Sequence, residues 1–159
     1  MLGALREKEG NDLAQLPLFV DRPIIVGRSG HPLTAVRQPS AADLADYPWI
    51  VPREGTPLRA QWKELFSTLP GGPPRVAVES GSVIIARQLL IDGDFLTLVS
   101  SDQVALETES GRLARIGGAR SELSRTIGMI SRADWRPTRM QQSFVDLVVA
   151  RGQGMGRED

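Results

Sequence analysis

The sequence of 159 residues contains no cysteine and a single histidine, His31. The lack of cysteine excludes disulfide bonds, thiolate nucleophiles and cysteine-type zinc sites. One histidine excludes a metal centre with several histidine ligands, and we expect neither a metal ion nor a cofactor. An excess of one charge is also missing, because 19 lysine and arginine residues balance 19 aspartate and glutamate residues. Such a chain lacks the excess of basic residues that is typical of a protein that binds nucleic acid non-specifically.

Long apolar runs are absent as well, so the sequence contains no candidate transmembrane helix. The first residues, MLGALREKEGND, lack the basic start and long apolar stretch of a signal peptide. We therefore expect a cytoplasmic protein without a membrane partner, and the lack of disulfides fits a reducing compartment. Hydrophobic residues still make up 41% of the chain, which is enough to build a folded core.

His31 is the first candidate for catalysis, and it lies in the stretch IVGRSGHPLTAV (25–36). A catalytic histidine needs a nucleophile or an orienting carboxylate beside it. The sequence contains no G-x-S-x-G elbow, no glycine-rich phosphate loop after a strand and no H-E-x-x-H motif. We therefore interpret His31 as a turn residue before Pro32 and predict that the protein is not an enzyme.

Short apolar segments typical of strands alternate with segments that begin at helix-capping residues. The capping residues are Ser40 with Asp43, Thr56 before Pro57, Ser80 or Ser82, Ser100 with Gln103, and Thr138 with Gln141. The predicted strands are 2–5, 18–28, 49–52, 75–80, 95–99, 113–116 and 125–131. This alternation favours an α/β fold with a parallel sheet and helices on both faces.

Three predicted helices begin directly after strands, at Thr56, at Ser80 or Ser82, and at Ser100 or Ser101. Right-handed crossovers place such helix starts together at the carboxyl edge of the sheet. Free backbone N–H groups and the helix dipole can bind an anion there, and Arg59 could add a bidentate contact. The alternative is that these hydroxyls serve as helix caps and nothing more.

Four stretches resemble, in the right order, motifs of the effector-binding domain of LysR-type transcriptional regulators. They are GRSGHPL (27–33), SAADLADYPWIVPREGTPLR (40–59), VESGSVIIARQLLIDGDFLTLVSSDQV (78–104) and RTIGMISRADWRPTRMQQSFVDLV (125–148). The resemblance covers residues 3–150. It implies a doubly wound fold like that of periplasmic binding proteins, with two lobes and an effector in the cleft between them.

The resemblance also implies a domain organisation. Residues 1–24 would be a remnant of the first lobe with a crossover, and residues 25–127 a complete second lobe. Residues 128–150 would return to the first lobe, and residues 151–159 would form a flexible tail. Most of the first lobe and a DNA-binding helix-turn-helix would lie upstream of Met1, so DNA would be a partner through that region alone.

The site implied by the resemblance and by the helix starts is small. The expected effector-binding residues are Gly55, Thr56, Arg59, Val99, Ser100 and Ser101. Gly27 and Gly128 fall near the two crossovers and are expected hinges. Helix 82–92 resembles one that packs against a neighbouring subunit, which predicts a homo-oligomer. The alternative is an ordinary core helix, because burial on two sides gives the same apolar pattern.

These observations predict an effector-sensing regulatory domain of a LysR-type transcription factor. Its ligand would be a small anionic metabolite, namely an organic acid, an aromatic acid or a sugar derivative, bound between the lobes to control transcription. The alternative is a stand-alone solute-binding protein of the periplasmic type. The missing signal peptide and the incomplete first lobe argue against that alternative.

Overall fold

The computed structural model describes residues 1–5, 12–118 and 123–155. The strands, in chain order, are β1 (Leu2–Ala4), β2 (Leu13–Asp21), β3 (Pro23–Arg28), β4 (Trp49–Val51), β5 (Val76–Glu79), β6 (Leu96–Ser100), β7 (Leu113–Arg115) and β8 (Arg125–Arg132). The α-helices are α1 (Ala41–Ala45), α2 (Pro57–Glu64), α3 (Val83–Asp92), α4 (Ala105–Glu109) and α5 (Arg139–Met155). Short 3₁₀ helices span Pro32–Ala35 and Ser101–Val104.

The chain divides into two compact units. The first comprises Met1–Asp21 with Ser124–Asp159, and the second comprises Arg22–Leu123. Both boundaries fall a few residues before those expected from the sequence, which were 24/25 and 127/128. The reason is strand pairing, because β2 and β8 remain paired as far as Asp21 opposite Arg125. Both strands therefore belong to the first unit up to that pair.

The second unit contains a mixed five-stranded sheet in the order β5-β4-β6-β3-β7. β4 is parallel to β5 and β6, as expected, but β3 is antiparallel to β6 and β7. The prediction of a parallel sheet is therefore confirmed for β4, β5 and β6 and was wrong for β3. A strand, not a helix, precedes β3 in the chain, so no helical crossover sets its direction. Pro23 is tolerated in this central strand because it is the first residue, outside the Val26–Arg28 segment that pairs with β7.

Alternate residues of the strands enter two separate hydrophobic clusters. Ile25, Trp49 and Leu98 pack with α1 and α2 residues such as Leu44, Trp62 and Phe66. Ile24, Ile50 and Val99 pack with Leu90 of α3 and with Val104. Because successive side chains of a strand point to opposite faces, these clusters lie on the two sides of the sheet. The sheet is therefore covered by helices on both faces, which confirms the doubly wound α/β fold of this unit.

Helix starts follow the predicted caps in most cases. Ser40 and Asp43 form a complete capping box, Thr56 caps α2 with Pro57 in its first turn, and Ser82 caps α3. Ser100 is an exception, because its side chain makes no capping hydrogen bond. The single helix predicted after it is split into a 3₁₀ turn and α4, so the usual cap geometry is not formed.

The first unit contains an antiparallel sheet in the order β1-β8-β2, with α5 packed on β2. The capping pair Thr138 and Gln141 is present at the start of α5. α5 extends to Met155, so the expected flexible tail is helical over residues 151–155, and residues 156–159 lie outside the described residues. In the part of the chain that the structure describes, no helix combines the length and hydrophobicity needed to cross a bilayer.

Candidate ligand-binding site

The carboxyl ends of β4, β5 and β6 lie along one edge of the sheet in the second unit, because these strands are parallel neighbours. A helix follows each strand directly, starting after Thr56, Ser82 and Ser100. We call this edge the carboxyl rim and define it as residues 52–56, 79–82 and 99–101. The structure thus brings the three expected helix starts to one edge, where open α/β sheets bind ligands.

Thr56 leads from β4 into α2 and is half-buried. Its hydroxyl oxygen accepts a hydrogen bond from the backbone N–H of Arg59 at 3.3 Å and donates one to the carbonyl of Arg53 at 2.9 Å. A hydroxyl oxygen has one proton and two lone pairs, so one acceptor position remains at Thr56. The preceding Gly55 is exposed and has a φ of +78°, a left-handed conformation that favours glycine. The cap therefore fixes the hydroxyl in place beside an exposed glycine.

Ser80 and Ser82 order the turn between β5 and α3. The hydroxyl oxygen of Ser82 accepts from the N–H of Ile85 at 3.4 Å, which identifies Ser82 as the helix cap. The hydroxyl oxygen of Ser80 accepts from the N–H of Ser82 at 3.1 Å. The backbone N–H of Ser80 donates to the carbonyl of Val51 at 2.9 Å. These bonds connect the end of β5 to the end of β4 along the carboxyl rim.

The Arg59 side chain is buried behind the carboxyl rim instead of being displayed on it. Its Nη2 lies 2.9 Å from Glu54 Oε1, and its Nη1 lies 3.8 Å from Glu79 Oε2. Nη1 also donates to the carbonyl of Pro52 at 3.3 Å, and the guanidinium carbon lies 4.8 Å from the ring centroid of Trp62. The expected bidentate contact from Arg59 to a ligand therefore does not fit, since carboxylates of the chain occupy the guanidinium. Arg59 instead joins the loop after β4 to the end of β5.

Sequence reasoning missed the two carboxylates that hold Arg59. Glu54 also accepts a hydrogen bond from Lys63 Nζ at 2.9 Å. This bond, with the charges of Arg59 and Lys63, holds the pKa of the Glu54 carboxyl below its ordinary value. Glu54 lies shortly before Arg59 in the chain, but Glu79 lies at the end of another strand, so no local spacing in the sequence identifies both as partners of one arginine.

The third part of the carboxyl rim, residues 99–101, is the end of β6 with the residue that follows it. These residues differ in how far their side chains are exposed to solvent. The Val99 side chain is buried in the cluster with Ile24 and Val104, so it offers a ligand its backbone alone. Ser100 is half-buried and stands opposite Pro23 in the β3–β6 pair. Ser101 is exposed. Of these three residues, the two serines are the side chains that a ligand can reach.

The expected hinges, Gly27 and Gly128, both lie inside strands and away from the unit boundaries. Gly27 is buried in β3, where an added Cβ would lie 3.1 Å from Cδ2 of His31. Gly128 is in the middle of β8, where an added Cβ would lie 2.5 Å from the carbonyl oxygen of Leu16. Close packing explains why both positions are glycine, and their role as hinges stays a prediction.

His31 is the turn residue that the sequence predicts. It precedes the 3₁₀ helix Pro32–Ala35, and its Nδ1 accepts from the N–H of Leu33 at 3.1 Å. The ring is buried and lies 4.4 Å from the ring of Tyr47, centroid to centroid. Burial lowers the pKa of His31, and the Arg28 charge adds to this effect, while the carboxylate and backbone of Asp94 oppose it. A neutral, capping imidazole in a packed turn has a structural role.

Comparison with known proteins identifies the family of the chain. The family model described as the LysR substrate binding domain matches residues 1–153. The HTH-type transcriptional regulator GalR of Pseudomonas putida is 33% identical over 134 residues, which are 84% of this chain and 34% of that protein. The HTH-type transcriptional regulator GbpR of Azospirillum brasilense is 38% identical over 74 residues, or 46% of this chain and 22% of that protein. The chain thus spans about a third or less of these relatives.

Solved structures show the same fold. The regulatory domain of CcmR from Synechocystis PCC6803, in complex with 2-PG, matches with a TM-score of 0.79 and 21% identity, covering 97% of this chain and 73% of that one. The effector binding domain of QuiR, in complex with shikimate, matches with a TM-score of 0.75 and 18% identity, covering 96% of this chain and 71% of that one. With the family match over nearly all of its length, the chain belongs to the LysR substrate-binding domain family.

Proposed function

We propose that this chain is the effector-sensing part of a LysR-type transcriptional regulator, and that its carboxyl rim binds a small anionic metabolite. The regulator would act in the cytoplasm, where binding changes the relative stability of two conformations. The relatives GalR and GbpR are named as HTH-type transcriptional regulators, which favours this interpretation over a stand-alone solute-binding protein. DNA would be contacted by a helix-turn-helix region outside this chain.

The observation that carries the proposal is the common edge on which three helix starts meet. The first N–H groups of a helix have no partner inside the helix, and the dipole gives that end a partial positive charge. α2 and α3, at eight and ten residues, are long enough to contribute in this way. An anion at the rim would receive N–H donors from separate elements, and organic acids, aromatic acids and sugar derivatives with a carboxylate provide such an anion.

The rim residues divide by role. Gly55, Thr56, Ser100 and Ser101 would contact the ligand, and Val99 would contribute its backbone. Arg59 would act through other residues, since it holds the Glu54 loop and the end of β5 in fixed positions. The proposal includes no catalytic step, because the chain's one histidine is used as a buried cap.

α3 supports the proposal of self-association. Leu90 is buried, whereas Ile84 is 76% exposed and Ile85 is 51% exposed at the start of the same helix. Leu106 of α4 is also exposed. An ordinary core helix would bury these residues, so the exposed face favours packing of helix 82–92 against a second subunit over the core-helix alternative.

Thr56→Val tests the binding site. The substitution keeps the shape of the side chain but removes the hydroxyl, so we expect anion affinity to fall about tenfold, the loss of one hydrogen bond of about 1.4 kcal/mol. Calorimetric titrations of the chain with 2-PG, shikimate and a panel of aromatic and sugar acids measure the affinity. Thr68→Val, at an exposed threonine away from the rim, is the matched control and should leave the affinity unchanged.

Two results would contradict the proposal. Equal affinity of the parent chain and Thr56→Val for a ligand that does bind would remove Thr56 from the site. A full panel of organic anions without measurable binding to the parent chain would contradict an anion-binding rim.

A further inference from the structure

The edge of the five-stranded sheet opposite the carboxyl rim contains an open cavity. Arg28 ends β3 beside the start of β6, because β3 and β6 are antiparallel. Arg112 directly precedes β7, which pairs with the same end of β3. A cavity of about 540 Å³ lies here, lined by Arg28–Gly30, Gln88 and Ile91 of α3, and Gly111–Arg112. Its size falls within the range of about 300–1,000 Å³ that is usual for small-molecule sites.

Two arginines, Arg28 and Arg112, line this cavity, and both keep free guanidinium donors among the described residues. Nε of Arg28 donates to Asp94 Oδ1 at 2.7 Å, which leaves the two terminal nitrogens of that guanidinium without an ion pair among the described residues. The backbone of Arg112 is hydrogen-bonded to Glu107 and Ser29. Within the described ranges its side chain forms no hydrogen bond or ion pair. The fixed fork of a guanidinium matches the geometry of phosphate and carboxylate groups.

The position of the Arg28 guanidinium is set by Gly30. A Cβ added at Gly30 would lie 2.5 Å from Nη1 of Arg28, so the guanidinium covers the glycine backbone. The contact is with the end of a flexible side chain, and no strained φ is present at Gly30. Alanine at this position would therefore displace the guanidinium while leaving the backbone turn intact.

The acidic groups near the cavity are already engaged. Asp94 accepts from Arg28, and Asp92 accepts from Gln88 Nε2 at 2.8 Å. Asp94 is paired with Arg28, whereas Asp92 is bonded to the neutral amide of Gln88 and keeps its charge. Among the described residues, the Arg112 guanidinium forms an ion pair with neither carboxylate. Ile91 provides an apolar wall beside these cations.

We propose that this cavity is a second ligand site, which binds a small dianion such as a phosphate monoester or a dicarboxylate between Arg28 and Arg112. The ligand's charged group would accept hydrogen bonds from the terminal nitrogens of Arg28 and from the guanidinium of Arg112. The carbon skeleton of the ligand would lie against Ile91. The site is separate from the carboxyl rim, and it exists whether or not the rim binds an effector.

The chain contains its own reporter for this site. His31, three residues after Arg28, is the sole histidine and gives one set of ring signals by NMR. The charges of Arg28 and Asp94 both act on its pKa, in opposite directions. A dianion bound at Arg28 adds negative charge on this side of the ring and should raise the pKa of His31.

The experiment titrates the ¹⁵N-labelled chain with inorganic phosphate and, separately, with succinate, at ionic strength held constant with chloride. We expect saturable shifts of the amide signals of residues 28–30 and 111–112, with an upward shift of the His31 pKa. Arg112→Gln should weaken binding about tenfold, because it removes one charge-assisted contact. Gly30→Ala should weaken binding as well, since it displaces Arg28 while both charges are kept.

Arg37→Gln is the matched control, because it removes one positive charge from an exposed position outside the cavity. It should bind phosphate and succinate as the parent chain does. If Arg37→Gln weakened anion binding as much as Arg112→Gln does, the binding would be general charge attraction and the proposal would be overturned. Amide shifts that do not saturate and that chloride reproduces would overturn it for the same reason. Parent-like binding by both Arg112→Gln and Gly30→Ala would overturn it as well. Thr56→Val should leave these shifts unchanged, so failure at this site and failure at the rim are distinguishable.

Discussion

The two compact units differ in how they treat their apolar side chains. In Arg22–Leu123, alternate strand residues enter buried clusters on both faces of the sheet. In the unit formed by both chain ends, many large apolar side chains are exposed: Leu2, Leu13, Leu16, Val20, Met140, Phe144 and Leu147. Apolar residues at strand or helix spacing occur in both units, although Leu13 and Leu16 lie outside the predicted strand 18–28. A periodic pattern therefore predicts which side chains share a face, but it does not predict whether that face is covered.

The same substitution, phenylalanine to alanine, can be made in each unit to compare how much a buried and an exposed phenylalanine contribute to stability. The two variants are Phe66→Ala and Phe144→Ala. Phe66 is 0% exposed and contacts the rings of Trp49 and Trp62, each at a centroid distance of 5.6 Å. Its truncation should destabilise the second unit by about 3–5 kcal/mol, the usual result of removing a buried phenylalanine. Phe144 is 58% exposed on α5, and its truncation should change the free energy of unfolding by less than about 0.5 kcal/mol.

Urea unfolding followed by tryptophan fluorescence measures this difference, because Trp49 and Trp62 lie in the cluster with Phe66 and Trp135 lies in the same unit as Phe144. Similar losses from the two substitutions would contradict the contrast between the units. A large loss from Phe144→Ala alone would mean that the face of α5 is covered in solution.

The local features of the fold could be predicted from the sequence. Ser40 with Asp43, Thr56 before Pro57, and Ser82 each specify a helix start through bonds within four residues. Strand and helix alternation then placed these starts along one edge of the sheet. The rim was therefore predictable because both its caps and its topology depend on short-range patterns.

Most features that sequence reasoning missed depend on at least one partner far away in the chain. Arg59 was expected to face a ligand, but Glu54 and Glu79 from two strand ends hold it in the interior. The direction of β3 depends on its pairing with β6 and β7, which follow much later. Met140, Phe144, Leu147 and Val148 have the helical spacing typical of a buried stripe, yet Val145 is the buried hydrophobic side chain among the described side chains of α5. None of these outcomes has a local signal.

Gly128→Ala tests how tightly the less buried unit is packed. An added Cβ would lie 2.5 Å from the carbonyl oxygen of Leu16 and 2.7 Å from the Leu5 side chain, and a backbone carbonyl in a paired strand cannot easily move. We expect a loss of roughly 1–3 kcal/mol, the usual effect of overpacking. Hydrogen exchange of the amides in β1, β2 and β8 locates the loss in this unit.

Gly3→Ala is the control, because Gly3 is the direct partner of Gly128 in the β1–β8 pair. Nothing lies within 4 Å of a Cβ added there. This change should leave the exchange rates of the three strands close to those of the parent chain. If Gly128→Ala had no larger effect than Gly3→Ala, the β2–β8 pairing would be looser than its hydrogen-bond register indicates.

The smallest effect expected is a pH dependence confined to the second unit. Burial lowers the pKa of His31 below its ordinary value of 6.5, so the unfolded chain takes up a proton there before the folded chain does. The stability contributed by the neutral ring is fully present above pH 6.5 and is lost as the pH falls through the lower, folded-state pKa.

His31→Asn keeps an acceptor for the N–H of Leu33 but does not titrate, so the stability of this variant should lack that decline. Urea unfolding of both chains at a series of pH values from 7.5 down to 5 measures it, and the same relative decline in both would assign the pH dependence to carboxylates instead of His31.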